Sequence, residues 1–295
     1  MPIAAINGAH IHYEVHGKGT PIVFIHPPLL TSANFRYQQV QLAGEFTVVT
    51  FDIRGHGRSG ASDAPLTYAL IAEDMKRLLD DLGIPKAFVC GYSTGGSIAL
   101  EAMLNYPDRF VGGILVSAMS EVSDLVLKSR IRLASYLSKT KPMTRLLMWA
   151  IAWGNADSGL TFRNLLKDAV RGNMANIHQY YKYSLNYNCT GRLRELKAPV
   201  LLLCGGKDRG FKRYRRKLEK MLPNCETVEL DEKHQIPTKA ALAMNESIRR
   251  WIRSVRPGID KPRTAADAPR PDPSMAQMLL PGADSEAQRQ PEIHT

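Results

Sequence analysis

The chain has 295 residues, of which 44% are hydrophobic and 23% are charged, a balance typical of folded globular proteins and unlike that of disordered or fibrous chains. No apolar run approaches the roughly 18 residues that cross a bilayer, and residues 1–16 lack the basic start and apolar stretch of a secretory signal. Four cysteines without a CxxC pair indicate reduced, buried thiols. We therefore expect a cytoplasmic protein without stable membrane insertion.

The net charge of +11 is unevenly distributed along the chain. Residues 119–196 carry 12 basic and 5 acidic residues, and residues 207–220 carry 8 and 2. Basic regions can bind nucleic acid or acidic lipid. However, the basic run 212–217 lies on a predicted helix whose side chains point all round, and no nucleic-acid motif accompanies it. We expect a solvated helix there and no nucleic-acid partner.

Apolar runs of the buried-strand type alternate with helical patterns through most of the chain. The half-buried strand 11–15 comes first, and further strands are predicted at 21–26, 46–51, 86–91, 111–116, 199–204 and 226–230. Helices are predicted at 66–82, 97–105 and 236–252, between or after these strands. This alternation predicts an α/β fold with a mostly parallel sheet covered by helices.

Two segments interrupt the alternation. Residues 119–196 contain no buried-strand pattern but four candidate helices, at 124–138, 143–153, 162–172 and 176–187. Residues 255–295 hold seven of the 18 prolines without apolar periodicity, which predicts a disordered tail. We therefore expect a core of residues 1–118 and 197–254, a helical lid (cap) of residues 119–196, and the tail.

The sequence GYSTGG, residues 91–96, is the strongest chemical signal. It directly follows one predicted strand and directly precedes a helix, so it places Ser93 on a tight turn with its hydroxyl at the edge of the sheet. Gly91 and Gly95 leave room for neighbouring backbone. The helix directs its N-terminus and the Thr94 amide towards anything bound above Ser93.

With this turn, the chain resembles the α/β-hydrolase family over nearly all of residues 1–253. The resemblance rests on IVFIH, FDIRGHGRSG, GYSTGG, LLLCGGKD and the late histidine of DEKHQIP. The nucleophile turn and FDIRGHGRSG look most like the esterase, perhydrolase and lactonase branches. The resemblance implies an α/β-hydrolase fold and a serine nucleophile. It also makes His56, within FDIRGHGRSG, a packed or capping residue.

A serine hydroxyl needs a base, and that base needs an orienting partner. The family order is serine, acid, histidine. His234 lies between the last strand and the last helix and is the predicted base, whereas His178 lies in the insertion and His294 in the tail. Asp208 follows the strand 199–204 and is the predicted acid. Glu121 and Asp124, after an earlier strand, are weaker alternatives.

The predicted oxyanion hole departs from the family pattern. Relatives read His-Gly-X after the third strand, and the amide of X is one donor. Here the run is His26-Pro27-Pro28-Leu29, so Pro28, which has no N–H, occupies the donor position. Leu29 could donate together with Thr94. Alternatively, the Tyr37 or Tyr92 hydroxyl or a water could substitute, or the hole could be weak.

Substrate contacts are expected near Ser93 and from the insertion, because ligand sites are mostly apolar with a few polar groups. The predicted substrate-binding residues are His26, Pro28, Tyr92, Met119, Trp149, Trp153 and Ile236. The sequence has no metal-spaced His/Cys cluster, phosphate loop or dinucleotide fingerprint, so no cofactor or metal is expected.

These residues predict a serine hydrolase that cleaves a small, largely apolar ester, thioester or lactone through a Ser-His-Asp triad and an acyl-enzyme. The same triad would serve a perhydrolase or an acyltransferase. A ligand-binding, receptor-like protein with little turnover is the alternative from another class, because a fold does not determine function. The partner expected is a small-molecule substrate, and the oligomeric state is left open.

Overall fold

An eight-stranded sheet forms the centre of the structure, a computed structural model that describes residues 2–255. The strand order is β1-β2-β4-β3-β5-β6-β7-β8. β2 is antiparallel to its neighbours, and all other pairs from β4 to β8 are parallel. The strands are β1 Ile3–Ile6, β2 Ala9–His16, β3 Thr20–Ile25, β4 Phe46–Phe51, β5 Ala87–Tyr92, β6 Phe110–Val116, β7 Val200–Gly205 and β8 Cys225–Leu230.

Helices cover both faces of this sheet. They are α1 Arg36–Leu42, α2 Tyr68–Asp81, α3 Thr94–Asn105, α4 Leu125–Leu137, α5 Lys141–Asn155, α6 Gly159–Ala169, α7 Met174–Asn186, α8 Lys212–Met221, α9 Ile236–Lys239 and α10 Ala241–Val255. The central strands are continuous apolar runs because both of their faces are buried, one under α2 and α3 and the other under α1 and α10. The predicted α/β fold with a mostly parallel sheet is confirmed.

Two elements were missing from the sequence prediction. β1 is a short edge strand, joined to β2 through Asn7 and Gly8, which both have positive φ (48° and 74°). This Asn-Gly pair is a typical two-residue hairpin turn, so the signal was present in the sequence. The other element is α1. In addition, the helix predicted at 236–252 is broken at Ala240, whose φ of −127° is not helical.

The predicted helical insertion consists of α4 to α7, which lie between β6 and β7. Asp124, Ser158 and Asn173 accept backbone hydrogen bonds as N-caps of α4, α6 and α7. A third apolar cluster packs these helices on the core. No helix within residues 2–255 is long and apolar enough to cross a membrane. The predicted tail lies outside the described residues, except for Val255, which ends α10.

Candidate active site

The turn between β5 and α3 presents Ser93 at the carboxyl end of the sheet. Ser93 has φ 55° and ψ −121°, a conformation that is costly for a residue with a side chain. The turn is possible because of its glycines. A Cβ on Gly91 would collide with the Gly95 backbone, and a Cβ on Gly95 would collide with the Ile25 carbonyl oxygen of β3. Close packing of α3 on two strands therefore holds the serine in this strained geometry.

Three side chains from separate loops form a hydrogen-bonded row. The His234 Nε2 lies 3.1 Å from the Ser93 Oγ, and its Nδ1 lies 2.7 Å from Asp208 Oδ2. A carboxylate only accepts hydrogen bonds, so Nδ1 carries the proton and Nε2 faces the serine hydroxyl with its lone pair. This arrangement is the one that a general base acting on a serine requires. The catalytic roles themselves stay a prediction.

Several contacts fix the position of the His234 loop. The Ser117 Oγ donates a hydrogen bond to the His234 carbonyl at 3.1 Å. A Cβ on Gly205 would overlap the Lys233 carbonyl oxygen, so the glycine at the end of β7 allows the loop to approach. The Phe211 ring packs on the imidazole with centroids 4.2 Å apart. The imidazole is thus held by backbone as well as by Asp208.

The alternative acids have other partners. Asp124 accepts a hydrogen bond from the Leu127 amide at 2.8 Å and caps α4, and it also contacts the Tyr214 hydroxyl. Glu121 pairs with Lys217. Neither residue hydrogen-bonds His234, so Asp208 is the acid that the geometry supports.

The loop after β3 contains a backbone donor, the Leu29 amide, for which the described residues supply no acceptor. Leu29 has φ +62°, which is strained for a leucine. The Leu30 amide donates to the Pro27 carbonyl at 3.3 Å. Pro27 and Pro28 have no N–H. Among the described residues, no acceptor bonds the Leu29 amide.

Both tyrosine hydroxyls considered as substitute donors are engaged elsewhere. The Tyr37 hydroxyl donates to Asp157 at 2.6 Å, and the Tyr92 hydroxyl donates to Asn155 Oδ1 at 3.0 Å. Neither hydroxyl is therefore a free donor, whereas the Leu29 amide has no acceptor among the described residues. The second oxyanion donor stays a prediction. Thr94, the other predicted donor, is the first residue of α3, where backbone amides have no partner within the helix.

An apolar cavity of about 180 Å³ lies beside Ser93. Of the predicted substrate-binding residues, Pro28, Tyr92 and Met119 line it, together with Ser93, Thr94 and His234. The rest of the wall is formed by Pro27, Leu30, Leu127, Ile131, Ile151, Asn155, Tyr181 and Gln235. The sequence analysis missed most of the residues that the insertion contributes to the cavity wall. One of them is Asn155, whose side-chain oxygen accepts a hydrogen bond from the Tyr92 hydroxyl.

Four predicted substrate-binding residues, Trp149, Trp153, Ile236 and His26, do not line this cavity. Trp149 and Trp153 are exposed on α5, because Ile151 and Asn155 occupy the side of that helix that faces the cavity. Ile236 is fully buried in the core below the site. His26 is also fully buried.

His26 is a structural residue of the loop after β3. Its Nε2 accepts a hydrogen bond from the Ile53 amide at 2.9 Å, so its Nδ1 carries the proton and donates to the Pro27 carbonyl at 2.9 Å. Burial lowers its pKa, which keeps the ring neutral. The ring thereby connects the loop that carries Leu29 to the end of β4.

Two further buried side chains, His56 and Asp52, lie near the His26 ring. Burial lowers the pKa of His56 to about 3, and its Nδ1 lies 3.2 Å from the Arg54 carbonyl, in keeping with a packed histidine. Burial would raise the pKa of Asp52, but hydrogen-bond donors around it, from His12, the Arg58 amide and Ser32, lower it to about 2. Asp52 accepts hydrogen bonds from the Ser32 amide (2.8 Å) and the Arg58 amide (2.9 Å). Within residues 2–255, no cluster of three His, Cys, Asp or Glu side chains could hold a metal ion.

Comparison with known proteins gives three kinds of match. A model of the alpha/beta hydrolase family matches residues 22–247. A curated protein of Azorhizobium caulinodans, named "Putative carbamate hydrolase RutD", is 34% identical over 141 residues, which are 46% of this chain and 53% of that protein. The chain spans about half the length of the curated relatives that it matches.

Solved structures share the fold at low sequence identity. The enol-lactonase from Burkholderia xenovorans LB400 has a TM-score of 0.76 at 20% identity, covering 85% of this chain and 99% of that one. The esterase EaEST from Exiguobacterium antarcticum has a TM-score of 0.77 at 18% identity, covering 85% and 98%.

Proposed function

Because this chain belongs to the α/β-hydrolase family, we propose that it is a serine hydrolase that cleaves a small, largely apolar ester, thioester or lactone. The observation that carries the proposal is the unbroken row of hydrogen bonds from Ser93 through His234 to Asp208 beside an apolar cavity. The names of the curated relative, a carbamate hydrolase, and of two structural neighbours, an enol-lactonase and an esterase, all describe carbonyl substrates with a heteroatom leaving group.

In the first step, the Ser93 Oγ attacks the carbonyl carbon while the His234 Nε2 accepts the hydroxyl proton. Asp208 accepts the Nδ1–H bond throughout and stabilises the imidazolium that forms. The carbonyl π electrons move to oxygen and give a tetrahedral oxyanion. When this collapses, His234 returns the proton to the leaving oxygen or sulfur, and the acyl group stays on Ser93.

The oxyanion needs donors that are in place before the reaction. The Thr94 amide at the start of α3 and the unused Leu29 amide are the two that we assign. Each such donor contributes about 100- to 1,000-fold to turnover. The helix N-terminus adds a favourable dipole for negative charge.

In the second step, water enters the site, and His234 removes its proton as its oxygen attacks the acyl carbon. The second tetrahedral oxyanion collapses, Ser93 leaves as its hydroxyl is reprotonated by His234, and the acid product departs. Hydrogen peroxide or another acceptor in place of water would give a perhydrolase or an acyltransferase with the same residues.

The cavity suggests a short acyl group. Its volume of about 180 Å³ is below the roughly 300–1,000 Å³ of drug-sized ligand sites. Leu127, Ile131 and Ile151 form an apolar wall, and Asn155 and Gln235 are among the polar residues of the lining. We expect acetyl to butyryl esters to be cleaved faster than long-chain esters.

Covalent labelling with a fluorophosphonate, followed by intact mass and peptide mapping, tests the nucleophile. The expected result is one adduct, on Ser93, that is lost in Ser93→Ala. Ser97→Ala is the matched control: this serine lies one turn further along α3 and donates to the Met119 carbonyl at 2.6 Å, so its loss should leave labelling intact.

The substrate class is tested by the release of acid from esters, thioesters and lactones, with and without peroxide. Turnover that disappears in Ser93→Ala supports the proposal. If the folded wild-type protein neither labels nor turns over any of these compounds but binds a small ligand saturably, the receptor-like reading replaces it.

A further inference from the structure

The helices α4 and α5 expose an unusual number of large apolar side chains. Leu125 is 78% exposed and Trp153 is 63% exposed. The exposed residues recur at helical spacing along each helix, so they share a face. The residues that share this face are Leu125, Leu133, Tyr136, Leu146, Trp149 and Trp153. We call these side chains and the basic residues among them the α4–α5 outer face.

The segment that carries this face, residues 125–155, is also strongly basic. Residues 125–155 contain no aspartate or glutamate. They contain six basic residues, Lys128, Arg130, Arg132, Lys139, Lys141 and Arg145. None of the six forms an ion pair with any residue of the described part of the chain. The positive charge of the face is therefore free to attract an anionic partner.

The inner sides of the same two helices line the candidate active site. Leu127 and Ile131 of α4, and Ile151 and Asn155 of α5, contribute to the cavity wall. The outer face is thus not the substrate site: it points away from the cavity, and its exposed apolar groups have no role in the proposed reaction.

The two tryptophans are arranged as amphipathic anchors. Trp149 and Trp153 stack in parallel with centroids 5.7 Å apart and an interplanar angle of 1°, and the Phe162 ring meets both edge-on. Tryptophan is enriched at membrane–water interfaces, because its ring is apolar and its N–H needs a polar partner.

We propose that the α4–α5 outer face binds the surface of an anionic membrane, with the apolar side chains at the level of the acyl-chain boundary and the basic ones among the head groups. Apolar residues interleaved with lysine and arginine are the pattern of helices that lie in a membrane interface. A second copy of this chain fits less well, since it would bring six unpaired cations against six others. A nucleic acid would leave the leucines and tryptophans uncovered. The inference does not depend on the reaction at Ser93.

Co-sedimentation of the full chain with vesicles tests this proposal. We expect binding to phosphatidylcholine vesicles that contain phosphatidylglycerol, much weaker binding to phosphatidylcholine alone, and loss of affinity as salt rises. Binding of equal strength to both vesicles would overturn the charge argument. No binding to either would overturn the proposal.

A triple variant, Arg130→Gln/Arg132→Gln/Arg145→Gln, tests the location. Each cation near an anionic surface contributes about fivefold to affinity, so the triple variant should bind on the order of 100-fold more weakly. The matched control, Arg216→Gln/Lys220→Gln/Arg250→Gln, removes the same charge from exposed positions on α8 and α10. An equal loss in the control would show a general charge effect and overturn the assignment to this face.

Intrinsic fluorescence supplies the independent readout. Of the three tryptophans, Trp251 is buried and should not respond, so a blue shift on vesicle addition reports Trp149 and Trp153. We expect such a shift, with quenching by bromine-labelled lipid. Vesicle binding without a shift would place the contact elsewhere. A dimer that Leu146→Gln dissociates, without vesicle binding, would assign the face to self-association instead.

Discussion

Replacing His26 tests whether this residue positions the oxyanion loop or binds substrate. The sequence suggested a substrate contact, whereas the structure buries the ring between the Ile53 amide and the Pro27 carbonyl. In His26→Asn, the side-chain amide can take the place of Nδ1 and keep the bond to Pro27, but it leaves the Ile53 amide without an acceptor. In His26→Ala, both bonds are lost.

The magnitudes follow from the number of buried groups left unpaired. Each costs about 1–3 kcal/mol, so His26→Asn should lower the free energy of unfolding by about 1–3 kcal/mol and His26→Ala by about 2–6 kcal/mol. If the alanine variant also releases the loop, the Leu29 donor is lost and kcat should fall about 100- to 1,000-fold. In His26→Asn, kcat should fall by less than about tenfold, because the hydrogen bond to the Pro27 carbonyl remains.

The assay combines urea unfolding with kcat and KM for a short-chain ester. His178→Ala is the control, because His178 makes a comparable bond to the Ser135 carbonyl (2.8 Å) far from the loop, and its loss should lower stability without changing kcat. A rise in KM at constant kcat in the His26 variants would restore the substrate-binding role. Lost stability with unchanged kcat would show that the ring does not control the donor.

Three other changes test the pH linkage, the triad and the nucleophile turn. The pKa of His56 is about 3 in the folded protein, against an ordinary value of 6.5. Between pH 3 and pH 6.5 the unfolded chain therefore binds a proton at His56 that the folded protein does not bind. As the pH falls below 6.5, the free energy of unfolding should decrease by up to about 1.4 kcal/mol per pH unit. Urea unfolding measures how much the free energy of unfolding decreases from pH 7 to pH 5, and this decrease should be about 2 kcal/mol smaller in His56→Gln than in the wild type. Equal decreases would show that His56 does not have the lowered pKa. Asp208→Asn should lower kcat for the same ester by about 10⁴-fold, because the imidazole loses its orienting acceptor, and a change below tenfold would remove Asp208 from the triad. Gly95→Ala should lower the melting temperature, because the added Cβ would collide with the Ile25 carbonyl oxygen. Gly154→Ala is the matched control and should raise the melting temperature, because Gly154 lies in a helix with open space around it.

The sheet and the nucleophile turn could be predicted from sequence because their signals are local. Buried parallel strands are continuous apolar runs, and a serine between small residues at a strand–helix junction permits few other arrangements. His234 and Asp208 could be assigned because the family fixes their order along the chain. Their hydrogen-bond distances to each other and to Ser93 agree with that assignment.

The wall of the cavity could not be predicted in the same way. Both sides of α5 carry apolar residues: Met148 and Ile151 face inward, and Trp149 and Trp153 face outward. When large apolar residues lie on both sides of a helix, periodicity does not show which side faces the core. The largest aromatic residues were therefore placed in the pocket, and the small polar Asn155 that lines it was missed.

Pro27 and Pro28, which leave the family's usual donor position without an N–H, also narrow the choice of the oxyanion donor that we propose. Pro27 and Pro28 have no N–H, and the Leu30 amide is already bonded to the Pro27 carbonyl, so among residues 27–30 the Leu29 amide is the donor left over. Proline also fixes its own φ, which reduces the conformational freedom that the loop loses on folding. The strained φ of Leu29 and the His26 bond to Pro27 then set the direction of the next peptide. The proposed donor thus lies one residue further along the chain than in the family pattern, and the proline at the usual position does not remove it.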